Sequence, residues 1–213
     1  MSLSGKFISF EGGEGSGKST QISLLASWLE AQGTQVVRTR EPGGAPSAEI
    51  IRKLLVEGDT DAWQPITEIL LHYSARAEHL AHTVLPALNA GKWVLSDRFA
   101  DSTLAYQGYG HGFDLGIIAQ IHKASVGDLK TDLTLVLDIP VDTGLMRASA
   151  RNQGEDRYER MGQEFHERVR AGFLAIAEND TGRCVVIDAS VDVDSVASNI
   201  KDIIQDRLKA HLP

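Results

Sequence analysis

Short apolar runs alternate with longer amphipathic segments along the chain, and this alternation limits the possible folds more than any other feature. The runs are mostly apolar and rich in β-branched residues, as strands are when helices cover both faces of their sheet. They occupy Phe7 to Phe10, Gln35 to Thr39, Trp93 to Ser96, Leu133 to Ile139 and Cys184 to Ile187. Strands separated by helices form βαβ units, so the sequence predicts an α/β fold with a parallel sheet.

The segments between these runs show helical spacing. Ile22, Leu25 and Leu29 recur on one face, and Gly33 follows where a helix is expected to end. Apolar positions from Ile66 to Leu88 predict a longer helix. Further helices are expected at Leu115 to Val126, Thr143 to Arg151, Glu164 to Glu178 and Val193 to Leu208. Because no repeat or linker divides the 213 residues, we expect one domain over residues 1–213.

Charge and cysteine content exclude several classes of protein. The 21 basic residues against 29 acidic ones give a net charge of −8, which argues against non-specific binding to nucleic acid or to an anionic membrane. An anionic ligand must therefore be held by a local group of cations. The single cysteine, Cys184, excludes an internal disulfide framework. With no signal-peptide pattern and no apolar stretch of membrane-spanning length, we expect a cytoplasmic protein.

The strongest local motif lies between the first predicted strand and the first predicted helix. It fits GxxxxGK[ST], the phosphate-binding loop, in the structural context that this motif requires. The motif and its continuation comprise Gly12, Gly13, Glu14, Gly15, Ser16, Gly17, Lys18, Ser19 and Thr20. Backbone N–H groups and the helix start can hold the phosphates of a nucleoside triphosphate, Lys18 can reach the terminal phosphates, and Ser19 can bind Mg²⁺.

Charged residues follow the next two predicted strands. Arg40-Glu41-Pro42-Gly43-Gly44 ends the second strand, and Arg52 stands on the helix expected after it. Asp97 and Arg98 end the third strand, where an acid can orient Mg²⁺ and an arginine can bridge two phosphates. The alternatives are an ordinary surface turn for the first group and a structural salt bridge for the second.

The segment from Arg147 to Met161 has the composition of a lid. It carries four arginines around Asn152-Gln153-Gly154, and an arginine brought to a transition state can raise a phosphoryl-transfer rate by about 10³ to 10⁵. Among these arginines we favour Arg157 and Arg151 as catalytic residues. The alternative is a solvated helix end, since three acidic residues leave the segment at +1.

Together these motifs resemble the bacterial thymidylate kinase family of the P-loop nucleoside-monophosphate kinase superfamily. The resemblance runs from Phe10-Glu11-Gly12 through the Glu41-Pro42-Gly43-Gly44 turn and Asp97-Arg98-Phe99 to Ser102-Thr103-Leu104-Ala105-Tyr106-Gln107-Gly108 and the segment around Arg157. It implies a three-layer fold with a five-stranded parallel sheet and a small arginine-bearing lid at about residues 147–161. It also implies transfer of the ATP γ-phosphoryl to dTMP with Mg²⁺, in a homodimer.

The resemblance also assigns individual roles. Arg98 and Arg52 would hold the dTMP phosphate, Arg76 and Gln107 would bind the thymine edge, and Tyr106 would lie against the deoxyribose. The complete set of substrate-binding residues expected is Glu41, Arg52, His72, Arg76, Arg98, Ser102, Thr103, Tyr106 and Gln107. Lys18, Arg98, Asp97, Arg157 and Arg151 are the expected catalytic residues, and Ser19 and Asp97 the expected Mg²⁺ ligands.

Position 72 departs from the family, in which a phenylalanine four residues before the arginine of this helix stacks on the base. His72 offers less apolar area and can titrate near neutral pH, so Tyr73 or another ring is the alternative. Another P-loop nucleoside or nucleoside-monophosphate kinase remains the alternative function. A switch GTPase, from a different class, would need a guanine-reading NKxD-type sequence, and the chain contains none.

Overall fold

A single parallel sheet forms the centre of the protein. The computed structural model describes residues 5–150 and 157–208. Its strands are β1 (Phe7–Glu11), β2 (Val36–Arg40), β3 (Trp93–Asp97), β4 (Leu133–Asp138) and β5 (Cys184–Asp188). They lie in the order β2-β3-β1-β4-β5, and every neighbouring pair is parallel. The predicted α/β fold with five parallel strands is confirmed.

Helices connect the strands and cover the sheet. They are α1 (Lys18–Ala31), α2 (Pro46–Val56), α3 (Pro65–His79), α4 (Leu85–Asn89), α5 (Ala100–Thr103), α6 (Leu115–Val126), α7 (Val141–Ser149), α8 (Gln163–Asn179) and α9 (Val193–Leu208). Two π-helical turns, Leu80–Val84 and Leu104–Gly110, continue α3 and α5. No helix among the described residues is long and apolar enough to cross a membrane.

The three central strands, β1, β3 and β4, are buried on both faces, which explains why they lack an alternating pattern, whereas the edge strands β2 and β5 are partly exposed. Phe7 and Ile8 are consecutive in β1 and almost fully buried, yet they belong to different clusters of core residues. Ile8 packs with α1 and α9, whereas Phe7 packs with α4 and the first π-helical turn. Residues of α8 complete this second layer beside β4. The chain is thus a three-layer structure, as the resemblance implies.

Strand register brings the charged strand ends together. Phe10 of β1 lies beside Asp97 of β3, and Asp97 lies beside Arg40 of β2. Glu11, the last residue of β1, pairs with Val136 of β4. Because all strands point the same way, their carboxyl ends form one edge, where α/β proteins hold their ligands.

The second π-helical turn is the main element absent from the sequence-based interpretation. Leu104–Gly110 has no clear helical period and ends in glycines, so nothing in its pattern predicted a helix. It is formed through packing on α8. A Cβ atom at Gly110 would lie 2.7 Å from the Phe165 ring, so only glycine allows this approach. Such turns often occur at functional sites.

One buried arginine joins the segment after residue 156 to the α2–α3 connection. Arg157 is 1% exposed. Its guanidinium donates to the backbone oxygens of Asp59 at 2.8 Å, Leu55 at 3.1 Å and Thr60 at 3.0 Å, and forms an ion pair with Glu68. These contacts use four of the five guanidinium N–H groups and hold the side chain inside the protein.

Replacing Arg157 should therefore destabilise the fold. Arg157→Ala leaves the Glu68 carboxylate buried without its cation, and we expect a loss of about 3 to 5 kcal/mol in the free energy of unfolding, measured by urea denaturation. Arg207→Ala is the matched control, because exposed Arg207 makes one hydrogen bond to Gly182. It should cost less than about 1 kcal/mol. Equal losses in the two variants would contradict this role of Arg157.

Candidate active site

The loop between β1 and α1 has the conformation of a phosphate cradle. Gly12, Gly15 and Gly17 have φ angles of 128°, 66° and 91°. A Cβ at Gly12 would lie 2.4 Å from the Leu137 carbonyl oxygen, and one at Gly15 would lie 2.0 Å from that of Gly144. Only glycine tolerates both the positive φ angles and the close approach of these carbonyl oxygens. The loop can therefore direct its N–H groups towards an anion at the start of α1.

Lys18 lies folded over this loop. Its Nζ donates to the carbonyl oxygens of Gly12 at 3.2 Å and Gly13 at 2.9 Å, and to Ser16 Oγ at 3.2 Å. Burial and the nearby charge of Arg98 lower the pKa of Lys18 to about 8. Among the described residues, no carboxylate lies at hydrogen-bond distance from this ammonium, which can be turned towards a phosphate.

Ser19 and Asp97 meet beside the loop. Ser19 Oγ donates to Asp97 Oδ2 at 2.8 Å, at an exposed position. A hydroxyl and a carboxylate are the oxygen ligands that Mg²⁺ takes when most of its other positions hold water and phosphate. The two predicted metal residues are therefore adjacent and chemically suited to Mg²⁺.

Arg98 stands at the centre of the crevice in a strained backbone conformation. Its φ of 70° is the single positive value found outside glycine in the described ranges. Nη1 donates to Gly12 O at 3.0 Å, and Nη2 donates to Glu14 Oε1 and to the Tyr106 hydroxyl, both at 2.9 Å. Burial disfavours the ionised Glu14 carboxyl, but Arg98 and Lys18 outweigh it and lower its pKa to about 2.

Glu11 holds the backbone that follows Arg98, a role that the sequence analysis did not assign. Its carboxylate accepts the Phe99 backbone N–H at 2.7 Å and the Ser102 hydroxyl at 2.5 Å, on the C-terminal side of Arg98. Burial, followed by the charge of Asp101, raises the pKa of Glu11 to about 7. An acid at the end of a mostly apolar run was the available signal, since a buried acid must find donors in the core.

The turn after β2 contributes Glu41. This carboxylate is 5% exposed and accepts hydrogen bonds from Arg76 Nε at 2.7 Å and His79 Nδ1 at 2.9 Å. Burial opposes its ionisation, but Arg76 and His79 hold its pKa below the usual range. Arg52 donates from α2 to Pro42 O at 2.6 Å. The turn thus positions both predicted arginines, and Glu41 acts on Arg76 directly.

Arg76, Gln107 and His72 form the end of the crevice away from the phosphate loop. Arg76 Nη2 donates to Phe99 O at 3.2 Å and to Thr103 Oγ1 at 3.0 Å. His72 Nε2 lies 2.9 Å from the Tyr158 hydroxyl, and burial lowers the pKa of His72 to about 4. The histidine is therefore uncharged at neutral pH.

The lid prediction has a mixed outcome. Arg157 does not line the crevice in the described structure, because its donors are committed to the α2–α3 connection and Glu68. This geometry gives no support to a catalytic role for Arg157, which was favoured because sequence cannot distinguish a buried arginine from one that faces solvent. Arg160 does line the crevice. Arg151 lies outside the described residues and stays a prediction.

These elements enclose a cavity of about 500 Å³, a size typical of small-ligand sites. Sixteen of the predicted residues line it: Glu14, Gly15, Ser16, Gly17, Lys18, Ser19, Glu41, Arg52, His72, Arg76, Asp97, Arg98, Ser102, Thr103, Tyr106 and Gln107. Gly12 and Gly13 line a smaller adjoining cleft, and Thr20 is exposed on α1. Tyr158, which sequence reasoning missed, also lines the main cavity. Its signal was an aromatic residue within a polar lid segment.

The comparisons with known proteins agree with this geometry. The sequence profile described as "Thymidylate kinase" matches residues 10–200. A thymidylate kinase of Caulobacter vibrioides is 52% identical over 204 residues, which are 96% of this chain and 98% of that protein. One from Jannaschia sp. is 48% identical over 202 residues, 95% and 97% of the two chains. The crystal structure of thymidylate kinase from Ehrlichia chaffeensis superposes with a TM-score of 0.77 at 35% identity, covering 94% and 99%. The profile, the relatives and the crevice agree, and the chain belongs to the thymidylate kinase family.

Proposed function

We propose that this protein transfers the γ-phosphoryl group of ATP to dTMP and releases dTDP and ADP. One observation carries the choice of thymine over cytosine in the acceptor. Among the described residues, Arg76 Nη1 and Gln107 Oε1 are buried polar atoms without a hydrogen-bond partner, and both side chains line the crevice. They offer one donor and one acceptor. Thymine presents the complementary pair, the O4 acceptor and the N3–H donor.

The reaction needs positioning and charge more than covalent chemistry. We propose that the glycine loop and Lys18 bind the ATP phosphates while Arg98 and Arg52 hold the dTMP phosphate in line with them. Arg98 suits this role because Glu11 fixes its backbone and Glu14 and Tyr106 orient its guanidinium. Transfer is then direct, without a phosphoenzyme. Tyr106, bonded to both Arg98 and Glu14, lies where it can crowd a ribose 2′-hydroxyl.

Ser19 and Asp97 are the residues that would hold Mg²⁺. Their contact at 2.8 Å supports this proposal. When bound, Mg²⁺ neutralises phosphate charge and orients the phosphoryl group that is transferred.

We further propose that the protein is a homodimer that acts in the cytoplasm. Three neighbouring helices carry apolar side chains that face solvent in the single chain. These are Ile50 and Leu54 on α2, Ile66 and Leu70 on α3, and Leu115 and Ile117 on α6, each at least 40% exposed. Since α3 packs against both α2 and α6, a second copy of the chain could cover all three helices.

An assay of ADP release tests the function. With ATP·Mg²⁺ we expect turnover with dTMP and little with thymidine, dGMP or AMP, whereas a nucleoside kinase would prefer thymidine. Turnover with thymidine but not dTMP would contradict the proposal. ADP release without any acceptor would instead indicate a nucleotide-dependent interaction module.

Lys18→Ala should reduce kcat by at least about 10², because the charge that steadies the transferred phosphate is lost. The thermal transition should change little, since Lys18 bonds only to nearby loop oxygens and one hydroxyl. The measurements are steady-state kinetics and circular dichroism on the same preparation. Loss of the fold rather than of turnover would show that Lys18 has a structural role.

Gln107→Leu tests the base-binding end. In the native protein, dCMP should be rejected by about 10⁴ in kcat/KM, because its edge would leave Arg76 and Gln107 mispaired. dUMP lacks only a methyl group and should be rejected by about 10-fold to 200-fold. The variant should lower the dTMP to dCMP ratio at least about tenfold and leave the dTMP to dUMP ratio nearly unchanged. An unaltered dCMP ratio would remove Gln107 from base recognition.

Leu70→Arg tests the dimer. A charge placed in an apolar interface should shift the mass measured by light scattering from twice that of the chain to that of a monomer. Leu174→Arg, at a 36% exposed site on α8, is the matched control and should remain dimeric. A monomeric native protein would contradict the proposed assembly.

A further inference from the structure

We propose that Glu68 determines the base preference of this crevice without touching the substrate, by turning the Gln107 amide so that its carbonyl oxygen faces the base. The inference rests on the proposed function and deepens it. Glu68 belongs to α3, is 3% exposed and does not line the cavity. It is therefore a positioning residue that acts through Gln107.

In every contact that it makes in the described structure, Glu68 acts as the hydrogen-bond acceptor. Its Oε1 lies 2.8 Å from Gln107 Nε2 and 2.9 Å from the Tyr158 hydroxyl, and its Oε2 pairs with Arg157. Burial opposes ionisation, but the charged and hydrogen-bonded partners, Arg157 and Gln107 among them, hold the pKa of Glu68 below its usual range. At neutral pH it is a carboxylate, which accepts hydrogen bonds and cannot donate them.

Because Glu68 is an acceptor, it determines the orientation of the Gln107 amide. The Gln107 NH₂ group must point to Glu68, because the reverse orientation would place a carbonyl oxygen against a carboxylate. Gln107 Oε1 is then directed away from Glu68, and in the described structure it has no partner. The Tyr158 hydroxyl gives its proton to Glu68 and so can accept from Gln107 Nε2 at 3.3 Å and from His72. No neighbour in this network favours the opposite orientation.

Arg76, the other residue that we propose to bind the base, is held by a buried carboxylate in the same way. Glu41 accepts from Arg76 Nε, and Phe99 O and Thr103 accept from Nη2, which leaves Nη1 unpaired in the described structure. A guanidinium can only donate, whereas an amide can present either its oxygen or its nitrogen. Arg76 thus needs no orientation to act as a donor. Gln107 does need one, and a turned amide would fit the N3 acceptor of cytosine.

Glu68→Gln tests this inference. The new amide can donate as well as accept, so Gln107 becomes free to turn. The readout is the kcat/KM ratio of dTMP to 5-methyl-dCMP, two substrates that share the methyl group and differ only at the edge that is read. We expect this ratio to fall about tenfold or more. A merely structural role of Glu68 would lower both values equally and leave their ratio unchanged.

Asp101→Asn is the matched control, because Asp101 is also a buried carboxylate paired with an arginine, Arg183, and it does not line the cavity. It should lower the melting temperature and leave the ratio unchanged. The double variant Glu68→Gln with Gln107→Glu again presents an acceptor to the base, so it should recover the preference for dTMP. If Glu68→Gln does not fold, Glu68→Met combined with Arg157→Met, which removes both members of the buried ion pair and leaves no carboxylate to orient the amide, should give the same fall.

The outcomes separate the two proposals. A native protein that phosphorylates dTMP, combined with a folded Glu68 variant of unchanged ratio, overturns the role of Glu68 alone. A double variant that fails to recover the preference also overturns it. A native protein that does not phosphorylate dTMP overturns the proposed function itself.

Discussion

Buried carboxylates fix the positions of the functional side chains in this crevice. Glu11, Glu41 and Glu68 are almost fully buried. A buried charge without partners costs several kcal/mol, so each of them must be surrounded by donors. Glu41 and Glu68 are ionised at neutral pH, so they only accept and fix the direction of every donor that they meet. Glu11, whose pKa is raised to about 7, accepts from the Phe99 N–H and the Ser102 hydroxyl. Glu11 fixes the backbone after Arg98, Glu41 fixes the Arg76 guanidinium, and Glu68 fixes the Gln107 amide.

The sheet brings these supports to one place. Glu11 ends β1, Glu41 directly follows β2, and Arg98 directly follows β3. Parallel pairing in register aligns the three strand ends, and the Glu41 N–H donates to Asp97 O at 2.9 Å. The groups that we propose to bind phosphate and base therefore share one edge of the sheet, with α3 and the second π-helical turn supplying Arg76 and Gln107 from the side. Rigid elements of this kind hold functional groups more accurately than loops do.

Local pattern explains what could be predicted from the sequence. The strands begin and end within about two residues of the expected positions, because uninterrupted apolar runs are what a doubly covered sheet requires. The helices at Leu115–Val126 and Val193–Leu208 have the expected bounds. The glycine loop could be predicted because its backbone needs glycine at fixed positions. The roles of Glu11 and Glu68 could not be predicted, since they depend on contacts with residues 39 to 91 positions away. The buried contacts of Arg157 could not be predicted for the same reason: they lie near residues 55–68.

The folded-over position of Lys18 has a consequence for how ligands bind. With its pKa lowered to about 8, Lys18 loses its proton at a lower pH than an exposed lysine does before any nucleotide arrives. An incoming polyphosphate favours the ammonium form and raises that pKa. Capture of the nucleotide is then accompanied by uptake of a proton from the medium. The heat of association consequently depends on the ionisation enthalpy of the buffer, and the affinity weakens as the solution becomes more alkaline.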